Sequence, residues 1–122
     1  MLTIQQASEL TGLTAHTLRY YERIDLLAVG RAPNGHRRYD QHDIERLLFL
    51  NYLRLTGMPL EQMKQYAALH AQDEAGIPER VAMLHAHRAT VARQVEALQR
   101  MLEVIDYKLA LLTNKANDVF EE

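Results

Sequence analysis

The sequence predicts a mainly α-helical fold: two short helices, a β-hairpin and two further helices, leading into one long amphipathic helix. Three observations predict it. Capping residues mark helix starts at Thr3, Thr14 and Asp40. A Pro33-Asn34-Gly35 turn signal separates the second capped segment from the third. From Pro78 to about Leu112 no helix breaker occurs, and apolar residues recur in alternating steps of four and three.

Taken in order, Thr3 with Gln6 fits a capping box, because hydroxyl and amide each satisfy an orphan N–H at a helix start. Ile4, Ala7, Ser8 and Leu10 continue a short helix, and Gly12 suits the left-handed residue that ends it. Thr14 offers the next N-cap, leading into Leu18, Tyr21 and Ile24 on one face. Two short helices with a glycine between them make a helix-turn-helix shape. Leu26 to Val29 is an apolar run, and His36 to Tyr39 returns as a polar strand after the turn, in which Asn-Gly tolerates the positive φ of a tight hairpin. A hairpin with arginines around its tip, directly after a second helix, reads as a wing. An edge ribbon kept soluble by arginines is the alternative.

Asp40 caps a third helix whose apolar face is expected from Ile44, Leu47, Leu48, Leu55 and either Phe49 or Tyr52, with Gly57 at its end. Met58-Pro59-Leu60 restarts a helix, proline being tolerated in a first turn. Leu60, Met63, Tyr66, Ala67 and His70 continue at helical spacing, and Gln72 to Gly76 is a short polar break. In the long helix, Val81, Arg88, Val95, Leu102 and Leu109 fall at heptad position a, and Leu84, Val91, Leu98, Ile105 and Leu112 at d. Sustained over about five heptads, this is a coiled-coil seam. A helix of roughly 35 residues is about 50 Å long and exceeds what the preceding segment can cover, so the stripe asks for a second chain. The expected dimer interface is Leu84, Val91, Val95, Leu98, Leu102, Ile105 and Leu109. Arg88, the one polar intrusion, would fix register. Asn114 to Glu122 is polar and is expected to fray.

Composition narrows the function. The 122 residues are 48% apolar and 25% charged, ordinary globular usage, with a formal net charge of −2. The charge is uneven: five arginines against Glu22 and Asp25 between Thr14 and Tyr39, but six basic and nine acidic residues from Ala71 onward. A local phosphate-binding face on an acidic body has this character. Cysteine is absent, which removes disulfides, iron–sulfur clusters and thiolate metal sites. No signal peptide or membrane span is recognisable, so a cytoplasmic location is expected. No nucleophile-and-base spacing and no glycine-rich phosphate loop suggests catalysis.

Thr14 to Leu27, TAHTLRYYERIDLL, carries the most chemistry. Arg19 supplies a planar fork suited to phosphate or guanine edges. Tyr20 and Tyr21 are about 100° apart on a helix, so one packs inward and the other presents its hydroxyl. Thr14, His16 and Thr17 occupy the first turn, where side chains enter a major groove and backbone N–H groups attract phosphate.

The stretches LTIQQASELTGLTAHTLRYYERIDLL and RAPNGHRRYDQHDIERLLFLNYLRLTGMPLEQMKQY together resemble the MerR family of bacterial transcription regulators. The resemblance covers nearly the whole chain; its T-x-R-Y-Y-E, N-G-x-R-x-Y and R-x-T-G-M-P-L segments are specific in their order and spacing. It implies a winged helix-turn-helix DNA-binding domain over residues 1–71, a connector over 72–77, a long antiparallel coiled-coil dimerisation helix over 78–113 and a tail over 114–122. It also implies a homodimer on double-stranded promoter DNA with an overlong spacer, bent and untwisted so that RNA polymerase can engage both promoter elements. Carried over, the contacts are Thr14, Thr17, Arg19, Tyr20 and Tyr21 on the second helix, which His16 joins from its place in the first turn, and Arg31, Arg37, Arg38 and Tyr39 in the wing, most of them to phosphate.

The second half resembles the short branch associated with aldehyde and related stress responses, some members of which carry a reactive cysteine near the position of His70. Histidine there puts thiol chemistry out of reach. His85 and His87, two apart, point in different directions, and neither a metal site nor a cofactor is expected. No separate ligand-binding domain is expected after the long helix, so a small effector would sit among Tyr66, Leu69, His70, Met83 and Tyr107. A DNA-bending architectural factor without an effector is the alternative; an enzyme or a pure coiled-coil interaction protein fits the residues least.

Overall fold

Helix α1, Ile4–Thr11, starts on the expected capping box: the Thr3 N–H donates to Gln6 Oε1 at 2.9 Å and the Gln6 N–H to Thr3 Oγ1 at 3.1 Å. Gly12, at φ 75°, ends it. Thr11 is buried in the turn, donating to the Ala7 carbonyl at 2.8 Å and accepting from the Leu13 N–H at 3.2 Å. Helix α2, Ala15–Arg23, is capped by Thr14, whose hydroxyl accepts from the Thr17 N–H at 3.1 Å. This computed structural model describes residues 1–121, with side chains through Val119. The chain divides into two units, residues 1–84 and residue 85 onward.

Within the first unit, α2 and helix α3, Gln41–Leu55, end in the same way. The residue after each cap is left-handed, Asp25 at φ 64° and Gly57 at φ 93°. The next N–H then reaches five residues back, Leu26 to Tyr21 O and Met58 to Leu53 O, both at 2.9 Å. This Schellman geometry satisfies orphan carbonyls and turns the following apolar residue inward. Leu26 is fully buried and Met58 is 4% exposed.

The apolar run from Leu26 therefore feeds the core, and the hairpin starts later. Strands β1, Gly30–Arg31, and β2, Arg37–Arg38, pair antiparallel with Gly30 opposite Arg38 and Arg31 opposite Arg37. The Gly35 N–H donates to Ala32 O and the Ala32 N–H to His36 O, both at 2.9 Å. Of the turn residues only Gly35 has positive φ, 83°. Pro33 and Asn34 thus form the centre of a four-residue turn, and glycine supplies the left-handed residue after it. Tyr39 continues the ribbon, exchanging two 2.7 Å backbone hydrogen bonds with Leu2.

Asp40 and Asp43 form a reciprocal capping box that opens α3. The face α3 buries differs from the expected one. Ile44, Leu47, Leu50 and Leu53 are buried, whereas Leu55 and Tyr52 are 65% and 60% exposed. Helix α4, Leu60–His70, starts after Pro59 and buries Met63 and Ala67. Leu18, Tyr21, Leu26, Tyr39, Leu47 and Met63 lie in one core drawn from α1 to α4 and the wing. A 3₁₀ turn, Asp73–Gly76, leads into helix α5, Ile77–Glu121, with Pro78 in its first turn. Gly76 is fixed by crowding: a Cβ there would lie 2.0 Å from the Leu69 carbonyl oxygen.

In the second unit α5 is continuous from His85, and its apolar residues stay largely uncovered: Leu98 is 65%, Leu102 57% and Leu109 57% exposed. Asn114 to Glu121, where fraying is expected, continues the helix, and Glu122 lies outside the described residues. No glycine or proline interrupts this stretch, and Lys115 and Ala116 are good helix formers. Among the described residues no helix is long and apolar enough to cross a membrane.

Candidate nucleic-acid interface

Two local devices place the cationic side chains. The Thr14 cap fixes the start of α2, leaving Thr14, His16 and Arg19 exposed and Thr17 partly so. Of the tyrosine pair, Tyr21 packs inward at 3% exposure and Tyr20 stays 36% exposed, its ring 5.7 Å from the Arg23 guanidinium. The hairpin then brings Arg31, Arg37 and Arg38 beside that helix.

A cleft of 500 Å³ is lined by Arg19, Arg31, Arg37, Arg38, His36, Thr3 and Gln5, among others. Four guanidinium groups in one concavity repel one another, and a single carboxylate holds two of them. Glu22 Oε1 accepts from Arg31 Nη2 at 2.7 Å, and its Oε2 pairs with Arg37 Nε. Glu22 therefore clasps the wing to α2 from inside the cationic cluster. The Arg38 guanidinium donates to the Arg37 carbonyl at 3.1 Å. Arg19 and Arg38 have no acidic partner among the described residues. Three positive charges remain to attract a polyanion, and planar guanidinium groups are matched to phosphate oxygens.

Two expected contacts need correction. The hydroxyls of Tyr21 and Tyr39 are buried without a hydrogen-bond partner, and the residues are 3% and 1% exposed. Burial raises the Tyr39 hydroxyl pKa further, the largest of several opposing influences. Both rings pack in the core next to residues that stay exposed or half-exposed, Tyr20 and Arg38, and Tyr21 also lines the cleft beside Thr14 and Thr17.

Two residues escaped sequence reasoning. Glu22 meets partners nine and fifteen positions away, and no local spacing signals such a clasp. Arg54, on α3, lines a second cleft of 390 Å³ with Thr14, Thr17 and Tyr20, and donates to Asn51 Oδ1 at 2.7 Å. The first turn of α2 thus shares a cleft with Arg54, and Arg19 further along the helix belongs to the arginine cleft.

The five expected effector residues do not share a cleft. Tyr66 and His70 line one of 380 Å³ with Arg46, Phe49 and Arg80. Leu69 and Met83 line another with Gln65 and Glu79, and Tyr107 is 70% exposed on the second unit. Among the described residues no group of three or more histidine, aspartate or glutamate side chains is placed to hold a metal ion.

Comparison with known proteins fixes the family. The profile of MerR HTH family regulatory proteins matches residues 2–69, and a second profile, MerR DNA binding, matches residues 44–107. The chain belongs to the MerR family. It is 36% identical over 109 residues to an uncharacterized HTH-type transcriptional regulator of Haemophilus influenzae, covering 88% of this chain and 81% of that one. The crystal structure of HiNmlR, a MerR family regulator lacking the sensor domain and bound to promoter DNA, matches with a TM-score of 0.83 and 36% identity over 88% of this chain and 86% of that one. The transcription regulator PbrR691 from Ralstonia metallidurans CH34, solved in complex with lead(II), matches with a TM-score of 0.61 and 30% identity over 87% and 84%. Membership makes the chain a DNA-binding transcription regulator with a helix-turn-helix fold, in a family of regulators rather than enzymes.

Proposed function

We propose that this MerR-family chain acts as a homodimer that grips promoter DNA with two copies of the arginine cleft. The dimer bends and untwists a promoter with an overlong spacer so that RNA polymerase can engage it, under control of a small-molecule or stress signal. The observation that carries this reading is the cleft itself, where Arg19, Arg31, Arg37 and Arg38 face one space and Glu22 neutralises only one charge. Phosphate contacts come from these arginines and from Thr14, His16, Thr17 and Tyr20, with Arg54 added on the α3 side. Sequence would be read partly through how easily the duplex deforms.

Dimerisation is supported by the exposed heptad residues of α5, among them Val95, Leu98, Leu102, Ile105 and Leu109. An isolated helix with an uncovered apolar stripe gains stability by pairing that stripe with a second copy. In this division residues 1–71 bind DNA, 72–77 connect and 78–113 dimerise. HiNmlR, at 36% identity, was crystallised on promoter DNA, which supports a promoter as the target here.

The test is duplex binding by the full chain, measured by fluorescence anisotropy on a sequence selected from random DNA. Arg19→Ala is expected to weaken binding roughly tenfold and to lower the salt slope by about 1, while sedimentation still reports a dimer. Unchanged affinity would contradict the reading. Transcription in vitro separates a promoter-realigning regulator from an architectural factor, which bends DNA without altering transcript yield.

A further inference from the structure

The cleft walled by α3, α4 and the start of α5 holds two arginines, of which Arg46 feels the Asp43 carboxylate only at a distance. Arg46 is half-buried, and its Nη2 donates to the Leu26 carbonyl at 3.3 Å. Arg80 donates to the carbonyls of Asp73 at 2.9 Å and Gly76 at 3.3 Å. Backbone carbonyls thus fix both guanidinium groups in place without neutralising them. Neither arginine has an ion-pair partner among the described residues. The acidic side chain on the rim, Glu45, lies 3.9 Å from His42, both of them well exposed.

The rest of the lining mixes apolar and aromatic side chains with His42, Glu45 and His70. Phe49 and Tyr66 meet with ring centroids 5.8 Å apart, tilted by 44°, and the buried Leu50 shares the lining with them. The volume of 380 Å³ accommodates a small organic molecule, and an inorganic ion would leave the aromatic walls unused. Fixed guanidinium forks recognise planar carboxylates better than they recognise neutral groups. We propose that this cleft is an effector site for a small organic carboxylate with a flat apolar body. The carboxylate pairs with Arg46 and Arg80, and the body lies against Phe49 and Tyr66.

His70 supplies an internal reporter. Burial, then Arg46 and Arg80, hold its imidazole pKa below the usual histidine value, and Asp73 opposes them weakly. His42 and Glu45 complete the charged groups lining the cleft. A bound carboxylate offsets the two arginines, so His70 becomes easier to protonate when the site is filled.

The site's effect on operator affinity rests on the DNA-binding reading, but ligand binding does not, so binding is measured without DNA. Calorimetry on the full chain uses benzoate, its neutral analogue benzamide, and sulfate. Saturable benzoate binding is expected at one site per chain, with benzamide and sulfate at least about tenfold weaker. Arg80→Gln and Arg46→Gln should each weaken benzoate roughly tenfold while retaining the wild-type helical circular dichroism. In proton NMR, saturating benzoate should move the His70 titration upward. Absence of saturable benzoate binding, equal binding of benzoate and benzamide, or an unmoved His70 titration would each overturn the proposal. If an arginine variant fails to fold, the benzoate–benzamide comparison on the unaltered chain still decides the matter. If benzoate binds and the chain binds no duplex, the DNA-binding reading fails and the carboxylate site stands.

Discussion

Residues 1–84 and the helix beyond His85 solve the burial problem in opposite ways. The first unit closes a core on itself: Leu18, Leu26 and Leu47 are at most 2% exposed and draw on α2, the following loop and α3. The second is one helix whose Leu98, Leu102 and Leu109 stay more than half exposed. Each fully buried leucine contributes about 1.5–3 kcal/mol, which the first unit collects within one chain. On the second, the same residue type stabilises nothing until a partner covers it. The first unit therefore carries a core of its own, and the second leaves its apolar residues uncovered, as the proposed dimer requires.

Changes to the seam should break this contrast most completely. Leu98→Asp with Leu102→Asp places charge at neighbouring d and a positions, and the expected result is loss of the dimer in sedimentation equilibrium. The near-ultraviolet signal of the tyrosines in the first unit should persist, because Tyr21 and Tyr39 lie in its core. Leu47→Ala probes the other side. It opens a cavity at a fully buried position and should cost about 2–5 kcal/mol in chemical denaturation of the first unit. Helix beyond His85 should survive that change wherever the partner helix still covers it. The smallest change stabilises: Asp25→Gly relieves a left-handed aspartate and should add about 0.5 kcal/mol to the first unit alone, read from the same denaturation.

Legibility in the sequence followed the range of the interactions. The caps at Thr3, Thr14 and Asp40 were readable because each is a hydrogen bond between residues three apart. The heptad stripe was readable because it repeats. The burial phase of α3 was not, because Leu47, Leu48, Phe49 and Leu50 are consecutive apolar residues and any face of that turn looks like a core face. Leu50 and Leu53 were selected by what packs on α3, leaving Leu55 and Tyr52 outside. The left-handed Asp25 was missed because glycine is the usual marker of that position, as at Gly57.

The candidate site divided along the same line. Arg19 came from its place on the second helix, Arg31, Arg37 and Arg38 from charge density and hairpin position, and all four line one cleft. Tyr21 and Tyr39 were assigned to DNA by resemblance and polarity, yet their hydroxyls are buried. Glu22 and Arg54 depend on which distant segments meet, and short-range spacing carries no record of that. The effector cleft is a stronger case. Arg46 and Arg80 are separated by all of α4, and only the fold brings them to one space.

The account's central claim is that two arginine clefts act together because α5 couples two chains. The salt dependence of binding to the selected duplex tests this most directly, comparing the wild type with Leu98→Asp/Leu102→Asp. Each phosphate neutralised adds about 0.9 to the slope of log K against log salt, so the variant's slope should be roughly half that of the wild type, with much weaker affinity. Equal slopes and equal affinities would show that one chain grips DNA alone, and would contradict the account.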